Sequence, residues 1–154
     1  MNVDRKLNTS SEMVRSATSI PLRVAFRELE LYDTGDVAGA DEVFSPNLID
    51  HNAAPGSSSH IDGMRASIAA VRVGFTGTQH RILFYQELPE GWVVLRWEMT
   101  ATHTGDAFGV AASGNPVSIQ GIDIMRIVDG KIVEMSHVEE LLKLTQQLAV
   151  VRPT

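Results

Sequence analysis

The order of two hydrophobic patterns along the chain constrains the fold more than any other feature. In the first half, apolar residues recur every three or four positions, as they do on one face of a helix. In the second half, long segments rich in β-branched and aromatic residues are separated by turn sequences, at 89–91 and 129–130. Helices followed by antiparallel strands predict an α+β domain in which helices cover the open side of a curled sheet.

Local signals give approximate bounds for these elements. Ser19 is a good N-cap, Pro21 suits a first helical turn, and Thr34 with Gly35 ends the first helix. Two further helices are predicted at 37–44 and 64–75, with a short strand at 48–51 and a loop at 53–59 between them. The remaining predictions are four strands and a closing helix, at 81–87, 92–104, 117–128, 131–136 and 138–148.

The length of 154 residues is typical of one domain. Residues 1–18 show little periodicity, and we expect an N-terminal arm that is either disordered or a short helix at a subunit contact. Residues 19–154 are expected to form the single domain.

Composition excludes several classes of function. The net charge of −6 argues against a surface that binds nucleic acid or anionic membrane. The absence of cysteine excludes disulfides, thiol nucleophiles and cysteine-based metal sites. No apolar run reaches the roughly 18 residues of a membrane span, and the N-terminus lacks the apolar block of a signal peptide. A cytoplasmic protein is therefore expected.

Several motifs resemble one known family. The sequence Thr-His-Thr-Gly at 102–105 and the block at 121–134 are similar to the C-terminal half of SnoaL-like polyketide and ester cyclases. Earlier segments at 32–36 and 44–52 match the same family in order and spacing. The resemblance extends over roughly residues 20–148.

The resemblance implies a nuclear-transport-factor-2-like cone that forms a homodimer or homotetramer, with a ligand pocket inside each subunit. It also implies closure of a polyketide ring by intramolecular aldol condensation, without metal or cofactor. The family carries its acid/base carboxylate just after the Lys-Ile strand, where this chain has Met135, Ser136 and His137. The expected carboxylate is thus replaced by His137.

Two residues are the candidate catalytic groups. Asp123 lies between Ile122 and Ile124, where a carboxylate is costly unless it is paired, hydrogen-bonded or protonated. His137 can accept and donate protons near neutral pH, so it is predicted to replace the missing carboxylate. The alternatives are an Asp123 in water or in a structural ion pair, and a His137 at the start of the last helix.

The register of the last hairpin decides whether these two residues cooperate. A two-residue turn would pair Val128 with Lys131 and place Asp123 and His137 on opposite faces. A three-residue loop would pair Ile127 with Lys131 and place both on one face, and we favour this register.

Other residues are predicted to line the pocket or to bind the substrate. His51 and Asn52 follow the short strand and suit a ligand carbonyl, although their segment is also turn-like. Trp97 and Met99 are pocket wall or core, and His103 either binds substrate or holds the following loop. The predicted substrate-binding residues are His51, Asn52, Trp97, Met99, His103, Met125 and Met135.

Three functions remain open at this stage. The first is a SnoaL-like cyclase acting on a small apolar carbonyl compound. The second is a hydrolase or isomerase of the same fold, in which Arg96 and Glu98 with His137 resemble the triad of limonene-type epoxide hydrolases. The third is a binding module without chemistry. No metal site is expected, because His51, His103, Asp123 and His137 lack the close spacing of typical ligands.

Overall fold

The structure is a computed structural model and describes residues 8–150. Helices and strands follow one another in an α+β order, as the sequence predicts. They are α1 (Ser10–Ser16), α2 (Ile20–Thr34), α3 (Ala40–Val43), β1 (Phe44–Asp50), α4 (Ile61–Gly74), β2 (Phe75–Glu87), β3 (Trp92–His103), β4 (Pro116–Val128), β5 (Lys131–Glu139) and α5 (Leu141–Ala149).

The five strands form one curled, unclosed sheet in the order β1-β5-β4-β3-β2. Neighbours from β2 to β5 are antiparallel, whereas β1 joins the edge parallel to β5. On β3 and β4 alternate residues are buried. The face that carries them, here called the inner face, packs against α2 and holds the core, and the outer face is more exposed.

The caps of α2 confirm the sequence prediction. The Ser19 hydroxyl accepts a hydrogen bond from the Leu22 N–H, and Pro21 occupies the first turn. Gly35 ends the helix with φ of +65°, a conformation that favours glycine. The α2 helix buries Phe26 and Leu29 against the sheet.

Part of the predicted N-terminal arm is a helix. Thr9 and Glu12 form a reciprocal capping box at the start of α1, and the Ser10 hydroxyl donates to Asp33 of α2. The α1 helix therefore packs on its own chain. Residues 1–7 lie outside the described residues.

Several predicted bounds are wrong because strands take residues assigned to helices. The helix predicted at 37–44 is only α3, since Phe44 already begins β1 and pairs with Ile132. Phe75, predicted to lie on the third helix, begins β2 and pairs with His103. The closing helix starts at Leu141, because the end of β5 still pairs with β4.

The β4–β5 hairpin differs from the favoured register. Asp129 and Gly130, both with positive φ, form a two-residue turn that pairs Val128 with Lys131. The prediction of a three-residue loop was therefore wrong. A β-bulge follows, between the pairs Ile127–Ile132 and Arg126–Glu134, and it shifts the register by one residue.

The bulge brings the two candidate residues together by a different route. Beyond it, Met125 pairs with Met135, and Asp123 pairs directly with His137. Directly opposed residues lie on the same face of a sheet, so both candidates reach the inner face. No helix within residues 8–150 is long and apolar enough to cross a membrane.

Candidate active site

Asp123 is a carboxyl buried at the centre of the inner face. It lies in the middle of β4, and only 2% of its surface is exposed. The Trp97 Nε1–H donates a hydrogen bond to its Oδ2 over 2.8 Å. Burial raises the pKa of Asp123 to about 7, against the lowering effect of the Trp97 hydrogen bond. Asp123 therefore changes its charge near neutral pH.

Gly121 allows Trp97 to reach Asp123. The two residues are paired across β3 and β4, and the indole lies directly over the Gly121 backbone. A Cβ at position 121 would come within 2.1 Å of a ring carbon of Trp97. The missing side chain thus leaves the space that orients the indole N–H toward the carboxyl.

His137 is held between two carboxylates on β5 and β1. Its Nε2 lies 3.0 Å from Oδ1 of Asp50, and its Nδ1 bonds Oε1 of Glu139. Partial burial lowers its pKa, but the hydrogen bonds and charges of Asp50 and Glu139 outweigh this effect and raise the pKa to about 10. At neutral pH the imidazole is therefore a cation, with both nitrogens donating. Of the two predicted proton carriers, Asp123 and not His137 titrates near neutrality.

The segment after β1 fixes this ion pair in place. Burial alone would raise the pKa of Asp50, but hydrogen bonds from His137 and from the Asn52 N–H lower it. The Asn52 side-chain oxygen accepts from the His137 N–H. His51 lies at the surface, where its Nε2 contacts Glu134. His51 and Asn52, which were predicted to bind substrate, thus already have hydrogen-bond partners within the protein. Asn52 positions His137 through its bond to the His137 backbone N–H.

Glu28 is a second buried carboxyl that sequence reasoning missed. It lies on α2 with 2% of its surface exposed, and its Oε2 has no hydrogen-bond partner within residues 8–150. Burial raises its pKa well above the usual range, and the charge of Asp123 raises it further. A signal was available, because Glu28 is three residues after Ala25 and four before Tyr32, inside the predicted apolar face.

A second polar cluster lies beyond Trp97. The Asp33 carboxylate accepts from the backbone N–H of His80 and contacts its Nδ1 at 2.7 Å. The His80 ring packs edge-on against Trp97, with 4.9 Å between the centroids. Nearby, the Tyr32 hydroxyl donates to Ser67, and burial raises the pKa of the phenol. Trp97 is thus fixed on one side by Asp123 and on the other by His80.

His103 holds the loop after β3, as one sequence interpretation proposed. Its buried ring accepts from the Ser113 N–H at Nδ1, and the Ser113 hydroxyl also contacts that nitrogen at 2.7 Å. Its Nε2 has no hydrogen-bond partner among the described residues. The predicted pocket residues Trp97, Met99, Met125 and Met135 are all buried core residues.

The residues of the epoxide-hydrolase-like alternative lie elsewhere. Arg96 donates to Gln120 and Glu98 accepts from Arg81, all on the outer face. His137 reaches the inner face, so the structure does not bring this triad together. The physical reason is the two-residue period of a strand, which places 96 and 98 opposite to 97.

The inner face around Asp123 is closely covered, since Trp97, Met125, Met135 and Asp123 itself are all buried. A surface depression of about 400 Å³ lies on the outer face over Gln79, Arg81, Glu98, Thr100 and Ser118, and not at Asp123. A ligand can therefore reach Asp123 only if side chains of the inner face move. Within residues 8–150, no group of three or more acidic or histidine side chains is arranged to hold a metal ion.

The curled sheet, the covering helix α2 and the buried acid/base groups define a nuclear-transport-factor-2-like α+β protein. Within this class, the model of the family SnoaL-like polyketide cyclase matches residues 23–148. The chain belongs to this family.

Two Streptomyces proteins are among its relatives. Aklanonic acid methyl ester cyclase DauD of Streptomyces sp. (strain C5) is 30% identical over 136 residues, which cover 83% of this chain and 81% of that protein. Aklanonic acid methyl ester cyclase DnrD of Streptomyces peucetius is also 30% identical, with 83% and 90% coverage.

Solved structures show the same fold. TsrD from Streptomyces laurentii superposes with a TM-score of 0.77 and 25% identity, covering 87% of this chain and 98% of that one. A SnoaL-like polyketide cyclase from Agrobacterium tumefaciens has a TM-score of 0.67 at 11% identity, covering 86% and 100%. The fold is thus retained where little sequence similarity remains.

Proposed function

We propose that this chain is a cyclase that closes a ring in a polyketide-like carbonyl compound, with Asp123 as its proton carrier. The observation behind this proposal is a buried carboxyl whose pKa is raised to about 7 by burial. A general base is most effective when its pKa lies near the working pH. Membership of the family favours ring closure over other acid/base reactions.

The proposed reaction is an intramolecular aldol addition. Ionised Asp123 takes a proton from a carbon that neighbouring carbonyl groups make acidic. The resulting enolate carbon attacks a second carbonyl carbon of the same molecule, a carbon–carbon bond forms, and the carbonyl oxygen takes up a proton. The product is an isomer of the substrate, so the step requires no oxidant and no cofactor.

His137 has a different role in this proposal from the one its sequence position predicts. Because Asp50 and Glu139 keep both of its protons in place, we assign it charge compensation instead of proton transfer. Its positive charge lowers the pKa of Asp123, while Glu139 raises it. The balance of these two neighbours helps to keep the pKa of Asp123 near neutrality.

Aklanonic acid methyl ester is the first substrate to test, because two relatives are named as its cyclases. The purified protein should convert it to an isomer of equal mass and different chromatographic retention, with or without a metal chelator. Asp123→Asn should lower turnover by about 10²-fold or more. Asp106→Asn, on the exposed loop after β3, is the matched control and should not lower it. A folded Asp123→Asn variant with full turnover would refute the assignment.

A non-catalytic binding module is the second candidate, and the burial of Asp123 supports it. Only 2% of this residue is exposed, and the depressions on the outer face and beside Met13 and Ile82 do not include it. The same experiment separates the two functions, because a binding module would bind the ester, detected by fluorescence of Trp97 and Trp92, without converting it.

A further inference from the structure

Glu28 is a buried ionisable residue on the otherwise apolar buried face of α2. Its neighbours on the buried face of α2 are Leu22, Ala25 and Leu29, and an apolar side chain would suit the same position. Its Oε2 is buried and has no hydrogen-bond partner among the described residues. A buried acceptor without a partner destabilises a fold, so its presence indicates a use other than stability.

Ionisable groups on three elements lie near enough to Glu28 to act on its charge. Asp123 on β4, His137 and Glu139 on β5, and Asp33 on α2 all act on its charge. The α2 helix packs on the inner face of the sheet, where Asp123 also lies, so Glu28 is buried between the helix and that face. Two carboxyls buried close together do not readily ionise at the same time. Ionisation of Asp123 therefore favours a protonated Glu28, whose pKa is raised by burial and by the charge of Asp123.

We propose that Glu28 is a second catalytic residue, which donates its proton to the carbonyl oxygen of the ligand at which the new bond forms. This inference rests on the proposed cyclase function. In the step, Asp123 gains the carbon-bound proton, the enolate carbon bonds to the carbonyl carbon, and the carbonyl π electrons form a new O–H bond with the Glu28 proton. Transfer of the gained proton from Asp123 to Glu28 restores both groups.

Separate assays of the two half-reactions test this assignment. The first is deuterium exchange at the central methylene of ethyl acetoacetate in D₂O, followed by NMR, which requires Asp123 alone. The second is cyclisation of aklanonic acid methyl ester, which also requires the donor. Glu28→Gln should retain exchange and lose cyclisation by about 10²-fold. Asp123→Asn should lose both.

Glu30→Gln is the matched control, because Glu30 lies on the same helix but is paired with Arg27. It should retain both reactions. Cyclisation by Glu28→Gln at the wild-type rate would overturn the role of Glu28 and leave the proposed function standing. A wild-type protein that catalyses neither exchange nor cyclisation would overturn the proposed function itself.

Two measurements do not depend on turnover. The infrared band of a protonated carboxyl should be present at neutral pH in Asp123→Asn, which removes the contribution of Asp123, and absent in the double variant Asp123→Asn with Glu28→Gln. An unchanged band in the double variant would overturn the donor role. Glu28→Leu should unfold at the same or a higher urea concentration than the wild type while being unable to cyclise. A marked loss of stability in that variant would instead assign Glu28 a structural role.

Discussion

Replacing Asp123 with asparagine should change how the stability of the protein depends on pH. The carboxyl has an ordinary pKa of 3.8 and a pKa of about 7 in the folded protein. The folded state therefore binds more protons than the unfolded state between these values, and stability falls as the pH rises through this window. Asparagine has no such titration and can still accept the hydrogen bond from Trp97.

The size of the effect follows from the two pKa values. They differ by about three pH units, and each unit corresponds to about 1.4 kcal/mol, so ionised Asp123 destabilises the fold by about 4 kcal/mol. No correction for solvent is needed, because only 2% of the residue is exposed. Most of this loss falls between pH 5 and pH 8, where the wild-type protein should lose about 2–3 kcal/mol more than the variant.

Urea unfolding followed by circular dichroism at pH 5, 6.5 and 8 measures this difference. The free energies of unfolding of the two proteins should diverge in favour of Asp123→Asn as the pH rises. Asp106→Asn, which changes an exposed carboxylate, should remain parallel to the wild type. Parallel curves for Asp123→Asn and the wild type would mean that the pKa of Asp123 is not raised in the folded protein. The assignment of Asp123 as the general base would then be refuted.

Three further predictions follow from the contacts described above. Gly121→Ala should displace the Trp97 indole and destabilise the protein by about 1–3 kcal/mol, and an unchanged near-ultraviolet circular dichroism spectrum would contradict this. His137→Ala should destabilise the protein by about 3 kcal/mol below pH 6.5, because it leaves two carboxylates unpaired in a partly buried site. Since the pKa of His137 is raised to about 10, this loss of stability relative to the wild type should shrink as the pH rises from 6.5 to 10. A difference in the free energy of unfolding by urea that stays constant over this range would refute the prediction. Finally, light scattering at micromolar concentration should give the mass of a dimer or a larger assembly, because Ile122, Ile124 and Val138 leave an exposed apolar stripe on the outer face, whereas a monomer mass would refute this.

The β4–β5 hairpin shows which features of the structure can be predicted from sequence patterns and which cannot. The position of the turn at Asp129 and Gly130 was predictable, because Asp-Gly is a sequence that readily adopts the positive φ angles of a tight hairpin turn. The bulge beside Ile127 was not predictable, because it depends on how the whole strand pairs with its neighbour. The prediction that Asp123 and His137 share a face was therefore confirmed, although the register offered for it was wrong.

The roles of the site residues show a second limit of prediction from sequence. Asp123 stands out in the sequence because both of its neighbours are apolar. The high pKa of His137 has no such signal, since it comes from Asp50, 87 residues away, and from Glu139. Arg96 and Glu98 were predicted as site residues only because they match a motif, and the two-residue period of β3 places them on the outer face, away from Asp123.

The sequence by itself determined the α+β order, the caps of α2, the turns and the family, because each depends on residues that are neighbours along the chain or on motifs at fixed spacing. Only the tertiary structure decided which ionisable groups meet. Glu28, Asp50, Asp123 and His137 come from α2, β1, β4 and β5, and their charges depend on burial and on mutual distance. Neither quantity exists until the helix packs on the curled sheet, and so the protonation of the site is a property of the fold.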